Sequence, residues 1–241
     1  MLLNKKVALI IGIKDDIGSV TAEIMAREGA KVVIAERNLS DGQALAEKIV
    51  AGGGEAVYAE MNVTLSNHHQ ATIARIVRDY GRLDVAFNNV SVDGDFFPLA
   101  QQSENMVVGV IDVNLNGMWL SMKYQIEQML KNGGGSIVNN VSHFDSNGSP
   151  GCSLFCATKS AVTTMSKVAA SEYASNNIRI NTISPGAYRN NIKTPSTNSC
   201  FDVRKMAEAI VWLCSDKAST VTGQELLLNS NMPIPGNRSL A

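Results

Sequence analysis

The chain has 241 residues, a length that favours one domain or at most two small ones. Its 21 lysines and arginines are balanced by 22 aspartates and glutamates, and a net charge of −1 argues against a broad nucleic-acid or anionic-membrane surface. The hydrophobic content of 45% indicates a globular protein. The longest clearly apolar run, residues 7–11, is far shorter than the roughly 20 residues of a membrane span. Because the N-terminus leads straight into that run, we expect no signal peptide.

Cysteine and histidine usage indicates neither a metal centre nor a disulfide framework. The chain has four cysteines and three histidines, and no C-x-x-C pair occurs. We therefore expect no metal, reduced thiols and a cytoplasmic location.

Buried-strand patterns alternate with helical patterns along the whole chain. The predicted strands span residues 7–11, 31–35, 56–59, 83–87, 136–141, 178–183 and 225–228. The predicted helices span residues 17–28, 40–51, 66–80, 103–130, 152–173 and 203–214. This alternation is typical of a doubly wound, Rossmann-type parallel sheet with helices on both faces, and we expect a single α/β domain over residues 1–241. Ligands of such folds bind at the carboxyl ends of the strands, so functional residues are sought in the loops there.

The loop after the first strand, residues 12–18, is placed to approach a dinucleotide. Gly12 and Gly18 match two glycines of the dinucleotide-binding pattern, and Asp16 stands where the middle glycine is expected. Two interpretations of Asp16 stay open. It either caps the first helix and points to solvent, or it occupies the anion site and weakens cofactor binding.

An acidic residue ends the second predicted strand. Glu36 lies 24 residues after Gly12, where a carboxylate can accept hydrogen bonds from the adenosine ribose and repel a 2′-phosphate. Together with Asp15 and Asp16 it disfavours NADP and favours NAD. The alternative is a solvated surface acid.

Further fragments, in order along the chain, resemble the short-chain dehydrogenase/reductase family. Residues 88–91 follow the fourth strand where the family has N-N-A-G, and Asn114 matches its catalytic asparagine. Ser142 matches the catalytic serine after the fifth strand, and Lys159 matches the lysine of Y-x-x-x-K. Residues 184–186 stand where the family holds the nicotinamide end.

The resemblance implies a small-molecule oxidoreductase that binds a nicotinamide cofactor. It also implies a homo-tetramer or homo-dimer built on the two long helices and the C-terminal strand. The catalytic positions would be Asn114, Ser142, Phe155 and Lys159. The cofactor-binding positions would be Gly12, Asp16, Ile17, Gly18, Glu36, Asn62, Val63, Asn89, Lys159, Pro185, Gly186 and Tyr188.

The main departure from the family pattern is Phe155, which occupies the tyrosine position of Y-x-x-x-K. It lies 13 residues after Ser142, the usual family spacing. In the family this phenol exchanges a proton with the substrate oxygen, and general acid–base catalysis is worth about 10²–10⁴-fold in rate. Asp16, Asn62 and a shorter segment after Gly186 are further departures.

Several groups are candidates for a substitute proton donor, and the sequence does not choose among them. Cys152 and Cys156 are interpreted as small packing residues beside the site. The candidates are His143, Tyr188 and Lys159, the last through a water relayed by Asn114, whereas Ser142 is a poor acid and would mainly donate a hydrogen bond.

Three hypotheses about function follow. The first is an NAD(H)-dependent oxidoreductase for a small hydroxyl or carbonyl substrate, with an impaired or substituted proton donor. The second is a non-redox isomerase, lyase or cyclase in which Ser142, Asn114 and Lys159 polarise a carbonyl. The third is a catalytically inactive subunit of a homologous enzyme.

Overall fold

The computed structural model describes residues 1–141, 150–185 and 202–228, which form a seven-stranded sheet with helices on both faces. All strand pairs are parallel, and the strand order is β3-β2-β1-β4-β5-β6-β7. The predicted doubly wound fold is confirmed. The strands are β1 (Val7–Ile11), β2 (Lys31–Glu36), β3 (Glu55–Glu60), β4 (Val85–Asn88), β5 (Gly135–Asn140), β6 (Ile178–Pro185) and β7 (Glu225–Leu228).

The helices cover the sheet as two layers. Helices α1, α2 and α7 pack on one face, and α3, α5 and α6 pack on the other. The helices are α1 (Asp16–Arg27), α2 (Leu39–Ala51), α3 (Ser66–Tyr80), α4 (Glu104–Ile111), α5 (Gly117–Asn132), α6 (Ser153–Tyr173) and α7 (Val203–Cys214).

Strand β1 explains why the central strands have continuous apolar sequences. All five of its residues are buried. Ala8 and Ile10 belong to the core beneath α1 and α7, whereas Leu9 and Ile11 belong to the core beneath α3 and α5. A strand covered on both faces needs apolar side chains at every position, because successive residues point to opposite faces.

The helical stretch predicted over residues 103–130 is helical throughout, but it is not one regular α-helix. A π-helical segment, Asp112–Asn116, separates α4 from α5. Such a segment accommodates an extra residue in the turn, and these segments are frequent at functional sites. Here the segment contains Asn114, whose side chain is fully buried.

The strand order creates the crevice in which the candidate site lies. The chain leaves β3 at one edge and returns to the other side of β1 as β4, so β1 and β4 are neighbours in the sheet. Ligands of open α/β sheets bind at such a switch point, outside the carboxyl ends of the strands. The residues that follow β1, β2 and β4 therefore meet at this edge, where Pro185 ends β6.

In the ranges that the structure describes, no helix has the length and apolar composition that crossing a bilayer requires. The organisation of residues 1–241 as a single domain stays a prediction.

Candidate active site

The loop after β1 is packed tightly against the loop after β4. Gly12 has φ of +89°, and a Cβ there would lie 2.6 Å from the backbone oxygen of Asn89. A Cβ on Gly18 would overlap the backbone oxygen of Gly12. Both positions therefore need glycine, because the turn returns on itself and against β4.

The residue that caps α1 is Asp15, which corrects the N-cap role predicted for Asp16. The Asp15 carboxylate accepts a hydrogen bond of 3.0 Å from the backbone N–H of Gly18. Asp16 lies in the first turn of α1 with its side chain exposed, as one of the two interpretations expected. Ile17 is buried in the core beneath α1, so only its backbone can face a ligand.

Asn89 joins this cap to the centre of the sheet. Its side-chain amide donates to the Asp15 carboxylate at 2.7 Å and to the backbone oxygen of Gly12 at 3.2 Å. The Asn89 side-chain oxygen accepts a hydrogen bond of 2.6 Å from the amide of Asn140, which ends β5. A chain of hydrogen bonds thus runs from β5 through Asn89 to the start of α1.

Glu36 is anchored to the same loop. One carboxylate oxygen accepts from the Ile13 N–H at 3.0 Å, and the other accepts from the Arg37 N–H at 2.7 Å. The side chain is half-buried at the end of β2. Because a carboxylate has about four acceptor sites, these contacts leave it able to accept from a ligand hydroxyl.

The two residues predicted to bind cofactor after β3, Asn62 and Val63, make hydrogen bonds and packing contacts within the protein. The Asn62 side-chain oxygen accepts from the backbone N–H of Thr64 at 3.2 Å and from its hydroxyl at 3.0 Å. Val63 is buried against the start of α5, where a Cβ on Gly117 would lie 2.8 Å from a Val63 methyl. The cofactor contacts expected of Asn62 and Val63 stay predictions.

Asn114 fastens the π-helical segment to the loop after β4. Its side-chain oxygen accepts from the Val92 N–H at 2.8 Å, and its amide donates to the Val92 carbonyl at 2.8 Å. The same amide donates to the Thr158 hydroxyl at 3.3 Å, which links the segment to α6. Asn114 is thereby fixed in position and orientation.

Lys159 and Phe155 lie on consecutive turns of α6, next to Asn114. The Lys159 ammonium donates to the Val90 carbonyl at 3.4 Å and lies 5.5 Å from the centroid of the Phe155 ring. Both side chains are buried. Burial lowers the pKa of Lys159 to about 8, and the negative charges of Asp93 and Asp15 partly oppose this shift.

The structure thus brings together Asn114, Phe155 and Lys159 from the predicted catalytic set. The Thr158 hydroxyl, which accepts from Asn114, donates to the Phe155 carbonyl at 2.9 Å and so links Asn114 to the backbone of α6. Pro185 is buried at the end of β6, on the same edge of the sheet. Ser142, His143, Gly186 and Tyr188 lie outside the described residues.

The described cysteines are all thiols. Cys152 is buried and Cys156 half-buried near the start of α6. Burial raises the pKa of Cys214 to about 12, so this thiol is a packing group and not a nucleophile at neutral pH. Within residues 1–141, 150–185 and 202–228, no group of three His, Cys, Asp or Glu side chains is arranged to hold a metal ion.

The sequence analysis missed Asn140 and Thr158 and gave Asp15 only a general charge effect. The role of Asp15 could have been predicted, because an Asp just before the first turn of a helix is typical of an N-cap. Asn140 and Thr158 had no comparable signal, since their partners lie 51 and 44 residues away in the chain.

The strand order and the switch-point loops define a doubly wound, Rossmann-type α/β protein. The sequence pattern of the family described as short chain dehydrogenase matches residues 6–200. The chain therefore belongs to the short-chain dehydrogenase/reductase family of oxidoreductases. Similarity to curated and solved members extends over nearly the whole chain.

Among its relatives, a cyclohexanol dehydrogenase of Acinetobacter sp. is 35% identical over 240 residues, which cover 94% of each chain. A 2,5-dichloro-2,5-cyclohexadiene-1,4-diol dehydrogenase of Sphingobium indicum is 34% identical over 238 residues, 92% of this chain and 94% of that one. The crystal structure of an NAD⁺-bound xylitol dehydrogenase matches with a TM-score of 0.87 at 25% identity, covering 96% of this chain and 100% of that one.

Proposed function

We propose that this protein is an NAD(H)-dependent oxidoreductase that interconverts a small alicyclic secondary alcohol and its ketone, with a proton donor other than a tyrosine. The observation that carries the proposal is the retained framework around Phe155. Asn114 and Lys159 are buried and held by hydrogen bonds to the loop after β4, although the phenol that they would serve is absent.

The residues at the carboxyl edge of the sheet fit a nicotinamide dinucleotide, whose bound nicotinamide would supply or accept the hydride. Glu36 has acceptor capacity for ribose hydroxyls and is fixed to the loop amide of Ile13. Lys159 provides a buried cation beside the Val90 carbonyl for the second ribose. Glu36, Asp15 and Asp16 disfavour the 2′-phosphate of NADP. The remaining proposed contacts are Gly12, Ile17, Gly18, Asn62, Val63, Asn89, Pro185, Gly186 and Tyr188.

The substrate class rests on the relatives and on the surface near Asn114. Two relatives are named for alcohols on six-membered carbon rings, cyclohexanol and a dichlorocyclohexadiene diol. The segment after Val92 exposes two aromatic side chains, Phe96 and Phe97. A Cβ on Gly151, two residues before α6, would lie 3.3 Å from the Phe96 backbone, and apolar side chains beside a site favour an apolar ring over a polyol or a charged acid.

We assign the proton transfer to Lys159, acting through water. An ammonium with a pKa of about 8 changes its protonation state near neutral pH, as an effective acid–base group must. Phe155 supplies the flat apolar wall against which the lysine lies. Ser142, the counterpart of the family serine, would donate a hydrogen bond to the substrate oxygen.

The first test is a calorimetric titration with NADH and NADPH, followed by turnover assays with cyclohexanone and cyclohexanol. We expect NADH to bind more tightly than NADPH, and slow turnover that Lys159→Ala abolishes. Binding of neither dinucleotide at millimolar concentration would refute the oxidoreductase. Conversion of a substrate without any dinucleotide would instead support the non-redox hypothesis, and co-purification with an active homologue would support the inactive subunit.

We also propose a cytoplasmic homo-dimer or homo-tetramer. Large apolar side chains are exposed on the helices that the family resemblance assigns to subunit contacts, among them Val108 of α4, Trp119 of α5 and Val168 of α6. Light scattering coupled to gel filtration tests this assembly, and a monomer at micromolar concentration would contradict it.

A further inference from the structure

Hydrogen bonds position the carboxylate of Asp15 at the start of α1. Its Oδ1 accepts hydrogen bonds from both the Gly18 N–H, at 3.0 Å, and the Asn89 side-chain amide, at 2.7 Å. Asn89 in turn is bonded to Gly12 and to Asn140, so it is held from both ends. These hydrogen bonds favour the observed position of the carboxylate when another group approaches.

The loop around Asp15 is also tightly packed. The packing of Gly12 against Asn89 and of Gly18 against Gly12 leaves no room for the turn to shift inward. The carboxylate therefore stays in the first turn of α1. In dinucleotide-binding folds this same turn receives the pyrophosphate, because its free N–H groups and the helix dipole attract anions.

The cap itself does not need a charge. Serine, asparagine and aspartate cap helices about equally well, since each offers an oxygen to the backbone N–H groups of the first turn. The charge that distinguishes aspartate from the other two acts on the helix dipole, on the Lys159 ammonium and on any charged ligand. The buried ammonium of Lys159 interacts electrostatically with Asp93 as well as with Asp15, so it offsets the Asp15 carboxylate only in part.

We infer that Asp15 is a specificity-determining residue that weakens the binding of pyrophosphate-bearing ligands, so that cofactor affinity is set by this carboxylate and not by the exposed Asp16. The inference rests on the proposed function, because it concerns the dinucleotide of that same site. The hypothesis that Asp16 weakens cofactor binding at the anion site is thereby replaced by the same hypothesis for Asp15.

The experiment is a calorimetric comparison of the native protein with Asp15→Asn and Asp15→Ser, each of which keeps a capping oxygen. The ligands are NADH, ADP and adenosine, which separate the nicotinamide, the pyrophosphate and the nucleoside. Asp16→Ser removes the neighbouring charge. Asp202→Ser makes the same change at the N-cap of α7, where Asp202 accepts from the N–H groups of Arg204 and Lys205.

We expect both Asp15 variants to bind NADH and ADP about tenfold more tightly, with adenosine unaffected. Asp16→Ser is expected to change the affinity by less than about threefold, since an exposed charge is screened by solvent. The gain should shrink as the salt concentration rises, because screening weakens repulsion in the native protein.

Equal NADH affinities in the native and Asp15 proteins would overturn the inference and leave the proposed function standing. A gain in Asp16→Ser alone, or a gain that includes adenosine, would also overturn it. Absence of NADH and ADP binding in every protein would refute the proposed function together with the inference. Thermal unfolding of all four variants checks that each remains folded.

Discussion

The two ends of the candidate site depart from the family pattern in different ways. At the Asn114 end, the positioning hydrogen bonds are present and the reacting phenol is absent. At the Asp15 end, the glycine turn is present and two carboxylates have been added. The comparison teaches that the backbone framework of a site is separable from its chemistry, because packing and hydrogen bonds maintain the one without the other.

The largest expected effect comes from restoring the missing acid. Phe155→Tyr keeps the buried ring and adds a hydroxyl within reach of Lys159, so we expect kcat to rise by about 10²–10⁴-fold. Steady-state reduction of cyclohexanone with NADH measures it. Phe155→Leu, which removes the ring and adds no acid, is the control and should show no gain. An unchanged kcat in a folded Phe155→Tyr protein would mean that the Asn114 end lacks more than a proton donor.

The second prediction concerns the stability cost of the buried lysine. A pKa lowered from 10.5 to about 8 corresponds to about 3 kcal/mol of destabilisation by the buried charge below pH 8. Lys159→Met should therefore raise the free energy of unfolding at pH 7 by up to about 3 kcal/mol while abolishing turnover. Urea unfolding measures this difference.

The sign of the pH dependence provides a further check on Lys159. Between about pH 8 and 10.5 the unfolded chain holds the lysine proton and the native protein does not, so this lysine makes stability rise with pH in that window. Lys159→Met should lack that rise. Lys167→Met, a change at an exposed lysine of the same helix, is the control and should retain it. A parallel pH dependence in all three proteins would contradict the assignment.

The third prediction tests whether the framework at the Asn114 end holds the loop after β4. Asn114→Ala leaves the Val92 N–H and carbonyl without their partner, which we expect to destabilise the protein by about 1–3 kcal/mol. Asn116→Ala removes a single bond to Asp112 in the same segment and should cost less. Chemical denaturation compares the two. Equal losses in the free energy of unfolding would show that the hydrogen bonds to Val92 contribute no more than the bond to Asp112.

The smallest expected effect lies at the ribose side of the loop. Glu36→Gln removes the charge that disfavours a 2′-phosphate, and we expect the preference for NADH over NADPH to narrow by about tenfold or less. Calorimetric titration with both dinucleotides measures the ratio. Glu60→Gln, at the position paired with Glu36 in β3, is the matched control. A narrowed ratio in Glu60→Gln as well would point to overall charge instead of Glu36.

Most of the fold could be predicted from the sequence because helices and strands are marked by local patterns of apolar and turn residues. Strand β1, helix α3, helix α7 and strand β7 have the predicted bounds, and each is an apolar or amphipathic run ended by turn residues. The π-helical segment was not readable. Asn114 in its wider turn contacts Val92 and Thr158, which lie 22 and 44 residues away, and short-range periodicity carries no information on such partners.

The sequence by itself determined the order of strands and helices, the family pattern, the phenylalanine at position 155 and the carboxylates in the first loop. The tertiary structure decided that Asp15, and not Asp16, caps α1, and that Asn140 holds Asn89 against it. It also decided the low pKa of Lys159. The physical reason is that residue types and short-range periodicity are properties of the chain. Burial, and which of two adjacent carboxylates meets a distant amide, depend on how separate strands are placed side by side.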